Sequence, residues 1–292
     1  MNKILLAGAA MVLVGAGSAS AADIYPAPVI EAPVIDAPVY ETPVHQPVAA
    51  ASGWYLRGDA GYAWNRTEKP TFFQGDLNTY VPFTTASLRS SYSVGGGVGY
   101  QINSKLRSDV TLDYFSIADF RGSTTGGCGV LPAGPCTSTD ISGVSGLSLL
   151  ANAYVDFYKS GRYTLYGGAG IGGTYVRWDD LSNTSCSSAN PALCDPTEIH
   201  RGVEGWRFTY ALMAGASVDL TCKLKADVGY RYRNVASGAM FMSLNSNGTQ
   251  GYHKNMASHE VRGGLRYSLG AGDCAQEEVY IEPAPIMPAV YK

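Results

Sequence analysis

Two stretches alternate so regularly that they limit what the chain can become. Residues 206–220 place Trp206, Phe208, Tyr210, Leu212, Ala214, Ala216, Val218 and Leu220 on one face of an extended strand. Arg207, Thr209, Met213, Ser217 and Asp219 take the other face. Residues 224–233 repeat the pattern, with Leu224, Ala226, Val228, Tyr230 and Tyr232 against Lys225, Asp227, Arg231 and Arg233. Successive side chains of a strand point to opposite sides. A soluble sheet can alternate too. Here the polar face is densely charged and the apolar face is rich in aromatics, which suits a transmembrane β-barrel with lipid outside and a polar lumen.

The N-terminus agrees. Lys3, the apolar run Ile4 to Gly17 and Ala19-Ser20-Ala21 form a secretory signal pattern, with cleavage expected between Ala21 and Ala22. After it, no apolar run approaches the ~20 residues that a membrane helix needs. A chain that crosses a membrane without such helices must close its sheet, because unpaired backbone groups are too costly in hydrocarbon. The formal charge of −3 argues against nucleic acid as a partner.

Eight alternating segments are legible. They run over 54–64, 90–102, 105–115, 141–157, 163–178, 206–220, 224–233 and 258–269. Outward residues include Trp54, Leu56, Tyr62 and Trp64 in the first, Val110, Leu112 and Tyr114 in the third, and Val261, Leu265 and Tyr267 in the last. The fifth is too rich in glycine for its facing to be read. Long connections cover 65–89, 116–140, 179–205 and 234–257, and short ones fall near 103–105, 158–162 and 221–223. The expectation is an all-β, eight-stranded antiparallel barrel with long external loops and short periplasmic turns. Both termini then lie in the periplasm.

The domain reading follows. Residues 1–21 are the signal and 22–51 a Pro-rich periplasmic tail with a repeated Ala-Pro-Val. Residues 52–270 are the barrel, and 271–292 a second Pro-containing tail.

The inward charges are nearly balanced. Arg57, Arg107, Arg207, Lys225, Arg231, Arg233, Arg262 and Arg266 face Asp59, Asp109, Asp113, Asp156, Asp219, Asp227 and Glu260. Eight strands leave an interior that side chains can fill. A charge there must be paired or hydrated, so a cross-linked plug is expected, with Arg262 reaching toward the seventh strand. Six cysteines behind a signal imply disulfides. Spacing pairs Cys128 with Cys136, Cys186 with Cys194, and Cys222 with Cys274. Metal binding is the alternative, but no Cys-x-x-Cys supports it.

Other motifs carry less. Gly168-Ala169-Gly170-Ile171-Gly172-Gly173 matches a dinucleotide fingerprint, yet Thr174 to Trp178 continues as strand where a helix is needed. Asn65-Arg66-Thr67 and Asn247-Gly248-Thr249 read as loop signals. Catalysis would draw on His200 with Asp179 and Asp180, or on His253 and His259 with Ser258. A pair of loop histidines could instead hold haem or a metal. Scattered polar residues explain these groups without chemistry, so no catalytic, cofactor or metal residue is assigned.

Trp54-Tyr55-Leu56-Arg57-Gly58-Asp59, Leu106 to Tyr114, Ala226 to Tyr232 and His259 to Tyr267 resemble the small outer-membrane surface antigens of alphaproteobacteria. These are relatives of opacity proteins and of the OmpA membrane domain. The likeness covers about 52–270. It implies a Gram-negative outer-membrane barrel with structural, adhesive or immune-exposed roles, and haem binding in some relatives. Such barrels usually finish on an aromatic in the last strand. Here more than twenty residues follow Leu269, and Tyr267 stands in that place.

The expected function is therefore a non-enzymatic surface barrel that supports the envelope and presents external loops. Its partners would be outer-membrane lipid, the barrel assembly machinery, periplasmic chaperones, and host or envelope ligands. A narrow porin, a haem-binding surface protein and an outer-membrane enzyme are the alternatives.

Overall fold

The computed structural model describes residues 52–74, 78–129, 134–244 and 248–269. Its strands in chain order are β1 (Gly53–Glu68), β2 (Thr71–Gln74), β3 (Thr79–Pro82), β4 (Thr85–Leu88), β5 (Ser91–Gln101), β6 (Leu106–Ser123) and β7 (Thr125–Gly127). They continue as β8 (Pro135–Ser160), β9 (Tyr163–Trp178), β10 (Leu181–Ser187), β11 (Glu198–His200), β12 (Glu204–Asp219), β13 (Leu224–Met242) and β14 (Thr249–Ser268). Eight of them close a ring of antiparallel pairs in the order β1, β5, β6, β8, β9, β12, β13, β14 and back to β1. The eight-stranded antiparallel barrel expected from the alternation is what forms. The signal segment, both Pro-containing tails and Cys274 lie outside the described residues.

The short turns are held by their own side chains. Asn103 Oδ1 accepts from the N–H of Lys105 at 2.8 Å and of Leu106 at 2.9 Å, closing β5 onto β6. Thr221 Oγ1 accepts from Lys223 and Leu224 between β12 and β13. Gly161, at φ 55°, supplies the left-handed residue between β8 and β9.

Around these turns the barrel is apolar outside. Trp54, Leu56, Tyr62, Trp64, Val110, Leu112, Trp206, Phe208, Leu212, Val261 and Leu265 are all exposed. Trp54 and Trp64 are ten residues apart on β1, which is roughly 33 Å along a strand and roughly 24 Å after a ~45° tilt. Each belongs to a cluster of rings. Trp54 meets Tyr100 edge-on, and Trp64 meets Tyr62, which also touches Tyr92. Two aromatic girdles about 25 Å apart are the mark of the lipid band.

Beyond the second girdle the structure departs from expectation. Three of the four long connections are mostly strand, and the fourth, 179–205, holds β10 and β11. β6 runs on to Ser123, β8 begins at Pro135, β13 reaches Met242 and β14 begins at Thr249. The reason is an inversion of the pattern. A β-bulge between Phe115 and Ala118 shifts the parity of β6. Below it, Asp109 and Asp113 face inward while Val110 and Leu112 face out. Above it, Phe120 is buried and Asp119 and Arg121 are exposed. Phe72, Phe83, Phe115, Phe120, Val144, Val176, Trp178, Leu181, Met240, Phe241 and Met256 thus build an apolar core inside the upper barrel. The chain stacks a membrane barrel, charged inside, under a crown that is built like a soluble one. Asn65-Arg66-Thr67, expected in a loop, belongs to β1. Asn65 Nδ2 bonds the Arg89 carbonyl and Ser91 Oγ there.

Candidate functional site

In the lumen of the membrane half, Arg57, Asp59, Asp109, Asp113, Arg231, Glu260 and Arg262 join into one lattice. Arg57 grips Asp59 with two hydrogen bonds of 2.9 Å and reaches Asp109 and the Tyr154 hydroxyl at 2.8 Å. Asp109 also accepts from Asn152 at 2.8 Å and from Tyr55 at 3.1 Å. Arg231 lies between Asp113 at 2.8 Å and Glu260 at 2.7 Å. Glu260 accepts in turn from Ser93. Arg107 pairs with Asp156 at 3.2 Å and stacks on the rings of Tyr154 and Tyr166. Near the short turns, Lys225 meets Asp219 at 3.0 Å and Arg266 meets Asp227 at 3.4 Å.

Two of the expected charges behave differently. Arg262 does not pair with the seventh barrel strand, β13. It reaches Asp59 on β1 at 2.8 Å and Asp113 on β6 at 3.4 Å. Its register partner on β13 is Gly229, which offers no side chain. Arg207 joins no carboxylate among the described residues. It donates instead to the carbonyl of Ala239 at the base of the crown. Arg233 lies over the Phe115 ring and donates to Ser148, linking the charged layer to the apolar one above.

Glycine makes this packing possible. Gly61, Gly95 and Gly264 face the lumen, and a Cβ on them would collide with Glu260, Asp113 and Asp59 respectively. The fingerprint-like Gly168 to Gly173 lies within β9, with no helix after it, and its glycines leave room for Tyr154 and Asn152. The facing of this strand, which its glycines conceal in the sequence, is set by its buried side chains. Thr164, Tyr166, Thr174, Val176 and Trp178 are the buried ones.

The histidines do not converge. His253, in a stretch expected as a connection, lies with His259 in strand β14. His253 is fully buried in the crown beside Trp178, whereas His259 is exposed, and the Tyr230 hydroxyl lies 2.5 Å from its Nδ1. His200 packs against Phe72, with Nε2 3.7 Å from Glu198 and Nδ1 3.3 Å from the Met242 carbonyl. Asp180 accepts instead from the Gly202 N–H. No group of three metal-ligating side chains forms among the described residues. Burial, helped by the Arg207 guanidinium, holds the His253 imidazole down at about 3. Burial also lowers the His200 imidazole and raises the Asp140 carboxyl.

Two disulfides tie the crown, Cys128 to Cys136 and Cys186 to Cys194. The first ties the segment after β7 to the start of β8, and the second closes the loop after β10 back onto that short strand. The third pairing, Cys222 with Cys274, involves a residue outside the described set.

The sequence of residues 9–268 matches the family model of the outer membrane protein β-barrel domain. The chain belongs to this family. Within it, an uncharacterized protein of Brucella abortus is 36% identical over 255 residues, covering 76% of this chain and 87% of its own length. A candidate adhesin of Rickettsia felis is 26% identical over 236 residues, covering 76% of this chain and 90% of that one. Among solved structures, Neisserial surface protein A overlaps 75% of this chain and 99% of its own, at 18% identity and a TM-score of 0.38. The attachment invasion locus protein of Yersinia pestis overlaps 74% and 99%, at 13% identity and a TM-score of 0.31. Overlaps this loose say nothing about function. Membership makes the protein an outer-membrane β-barrel.

Proposed function

We propose that the protein is a non-enzymatic surface barrel of a Gram-negative outer membrane that displays its crown outside the cell for adhesion. The short turns and both termini then face the periplasm. The observation that carries this reading is the crown itself. Long strands, an apolar core and two disulfides make a rigid head, above a lumen whose carboxylates are already occupied by guanidinium, ammonium or amide groups. An occupied carboxylate cannot serve as a general base without losing its partner. The candidate adhesins among the relatives support the same reading.

Its partners are outer-membrane lipid around the girdles, the barrel assembly machinery and periplasmic chaperones during insertion, and a host or envelope ligand at the crown. Support of the envelope is part of the proposal, through the two tails on the periplasmic side. The test is display of the full chain on a non-adherent Gram-negative host, with binding to cultured cells counted. Adhesion that rises with display and falls after reduction of the crown disulfides supports the reading. Display without any gain in adhesion overturns it.

The narrow-porin reading is tested separately in planar bilayers. Arg57, Asp59, Asp109, Arg231 and Arg262 fill the lumen, so conductance should fall far below that of wide, water-filled porins. Stable porin-sized openings would favour the pore.

A further inference from the structure

Between the ends of β2, β6, β10 and β14 the crown opens into a cavity of about 170 Å³. That is far more than the ~15 Å³ one water needs on the same scale. Phe72, Phe73, Gln74, Thr124, Asn183 and Gln250 are among its lining residues, and Glu198 stands at its side.

The hydrogen bonds of these residues run in one direction. The Ser138 hydroxyl donates to Asp140 at 2.7 Å, and Asn183 Nδ2 donates to the other oxygen of that buried carboxylate. Ser138 has one proton, so its 3.0 Å contact with Thr124 Oγ1 is a bond donated by Thr124. Gln74 Nε2 donates to the Thr125 carbonyl at 3.1 Å, and Gln250 Nε2 to the Phe73 carbonyl at 2.7 Å. Each amide spends one N–H on the protein, and its carbonyl oxygen accepts no hydrogen bond among the described residues. The cavity wall is therefore rich in acceptors. Glu198 adds a carboxylate that is 59% exposed, and Asp140 lies behind the floor. No Lys, Arg or His is among the described lining residues, and burial keeps the neighbouring His200 neutral at pH 7.

A neutral sugar would leave the charge of Glu198 unmatched. A divalent cation would need several carboxylates, and no three metal-ligating groups gather among the described residues. An ammonium group brings only donors and a positive charge, and the Phe72 and Phe73 rings offer it π-faces. We propose that this crown cavity binds the primary ammonium end of a small organic amine, with Glu198 as its charge partner and the Asn183, Gln74 and Gln250 carbonyls as acceptors. This stands apart from the adhesion reading, since it is measured on the purified protein without cells.

The test is isothermal titration of the refolded full chain in detergent with spermidine. Glucose and calcium chloride are titrated in parallel, and a boiling-sensitive gel shift confirms folding of each variant. Saturable spermidine binding that weakens at least tenfold in Glu198→Gln and in Asn183→Leu is expected. Glu204→Gln, at the start of β12 beside Arg177 and outside the cavity lining, should leave it unchanged. Absence of saturable spermidine binding overturns the proposal. So does equal affinity in Glu198→Gln and the parent, or saturable binding of glucose or calcium in place of the amine.

Discussion

Arg262 Nη2 lies 2.8 Å from Asp59 Oδ2, and both residues face glycine across their ladders. Arg262 stands opposite Gly61 and Gly229, and Asp59 opposite Gly264. The bond forms diagonally because the direct positions are empty. A side chain at Gly264 would strike both Asp59 and the Gly58 carbonyl. Gly264→Val should therefore cost about 1–3 kcal/mol by overpacking and lower the fraction of folded, heat-modifiable protein. Gly58, with nothing within 4 Å of an added Cβ, is the matched control, and Gly58→Val should fold as well as the parent. Equal loss in both variants would count against the packing argument.

Arg231 is 1% exposed and bonded to two carboxylates. Arg231→Met leaves Asp113 and Glu260 buried with less neutralisation, a loss of about 3–5 kcal/mol, smaller where water enters. The exposed pair Arg89–Asp119, at 3.4 Å, should contribute under about 1 kcal/mol. Urea titration of the folded band in lipid should separate Arg231→Met clearly from Arg89→Ala.

His253 is buried neutral, with its pKa lowered from 6.5 to about 3. Below pH 6.5 the unfolded crown takes up a proton that the folded crown refuses. Stability therefore falls as pH drops from about 6.5 toward 3, by at most about 1.4 kcal/mol per pH unit. His200 titrates in the same sense. Asp140, with a raised pKa, acts oppositely, and its contribution fades as pH rises through its folded value. Hydrogen-exchange protection of β13 and β14 above the lipid band, taken relative to the intrinsic rate at each pH, should fall between pH 7 and pH 5. His253→Phe should flatten that slope and leave the part due to His200. An unchanged slope would mean that His253 is not the group responsible.

The two crown disulfides each close a span of eight residues. The chain-entropy model gives each about 2.5 kcal/mol. That stabilisation belongs to the crown. Reduction should expose the ends of β8 and β10 to protease while the heat-modifiable band persists. Loss of the band on reduction alone would show that the membrane half depends on the crown.

The membrane half was legible because lipid outside and charge inside leave a two-residue rhythm, as in Leu224 to Arg233. The crown was not, for the same reason. Its apolar residues, Phe120 and Val176 among them, point inward, and the bulge after Phe115 shifts the count by one. Read for lipid-facing residues, the rhythm ends where the membrane ends. β9 hid its facing because glycines carry no side chain to reveal it. The lumen charges could be named from parity, but their partners could not. Arg262 reaches Asp59 and Asp113 across space, and only the ring's closure brings those strands together. The histidines of β14 could not be sorted, since His253 and His259 share parity and still end on opposite sides of the wall. The cavity gave no signal, because its residues come from distant segments that only the folded crown brings together.

β8 is 26 residues long, and Pro135 to Gly146 precede Leu147, which pairs with Tyr114 on β6 and Tyr175 on β9. Those twelve residues rise roughly 28 Å at the usual strand spacing and tilt. The crown is thus about as tall as the lipid band beneath it, and it is braced along that height by a packed interior. It works as a mast. In the proposed orientation, anything that touches the tip does so well clear of the headgroups. A floppy loop of the same length would spend most of its time folded back toward the bilayer.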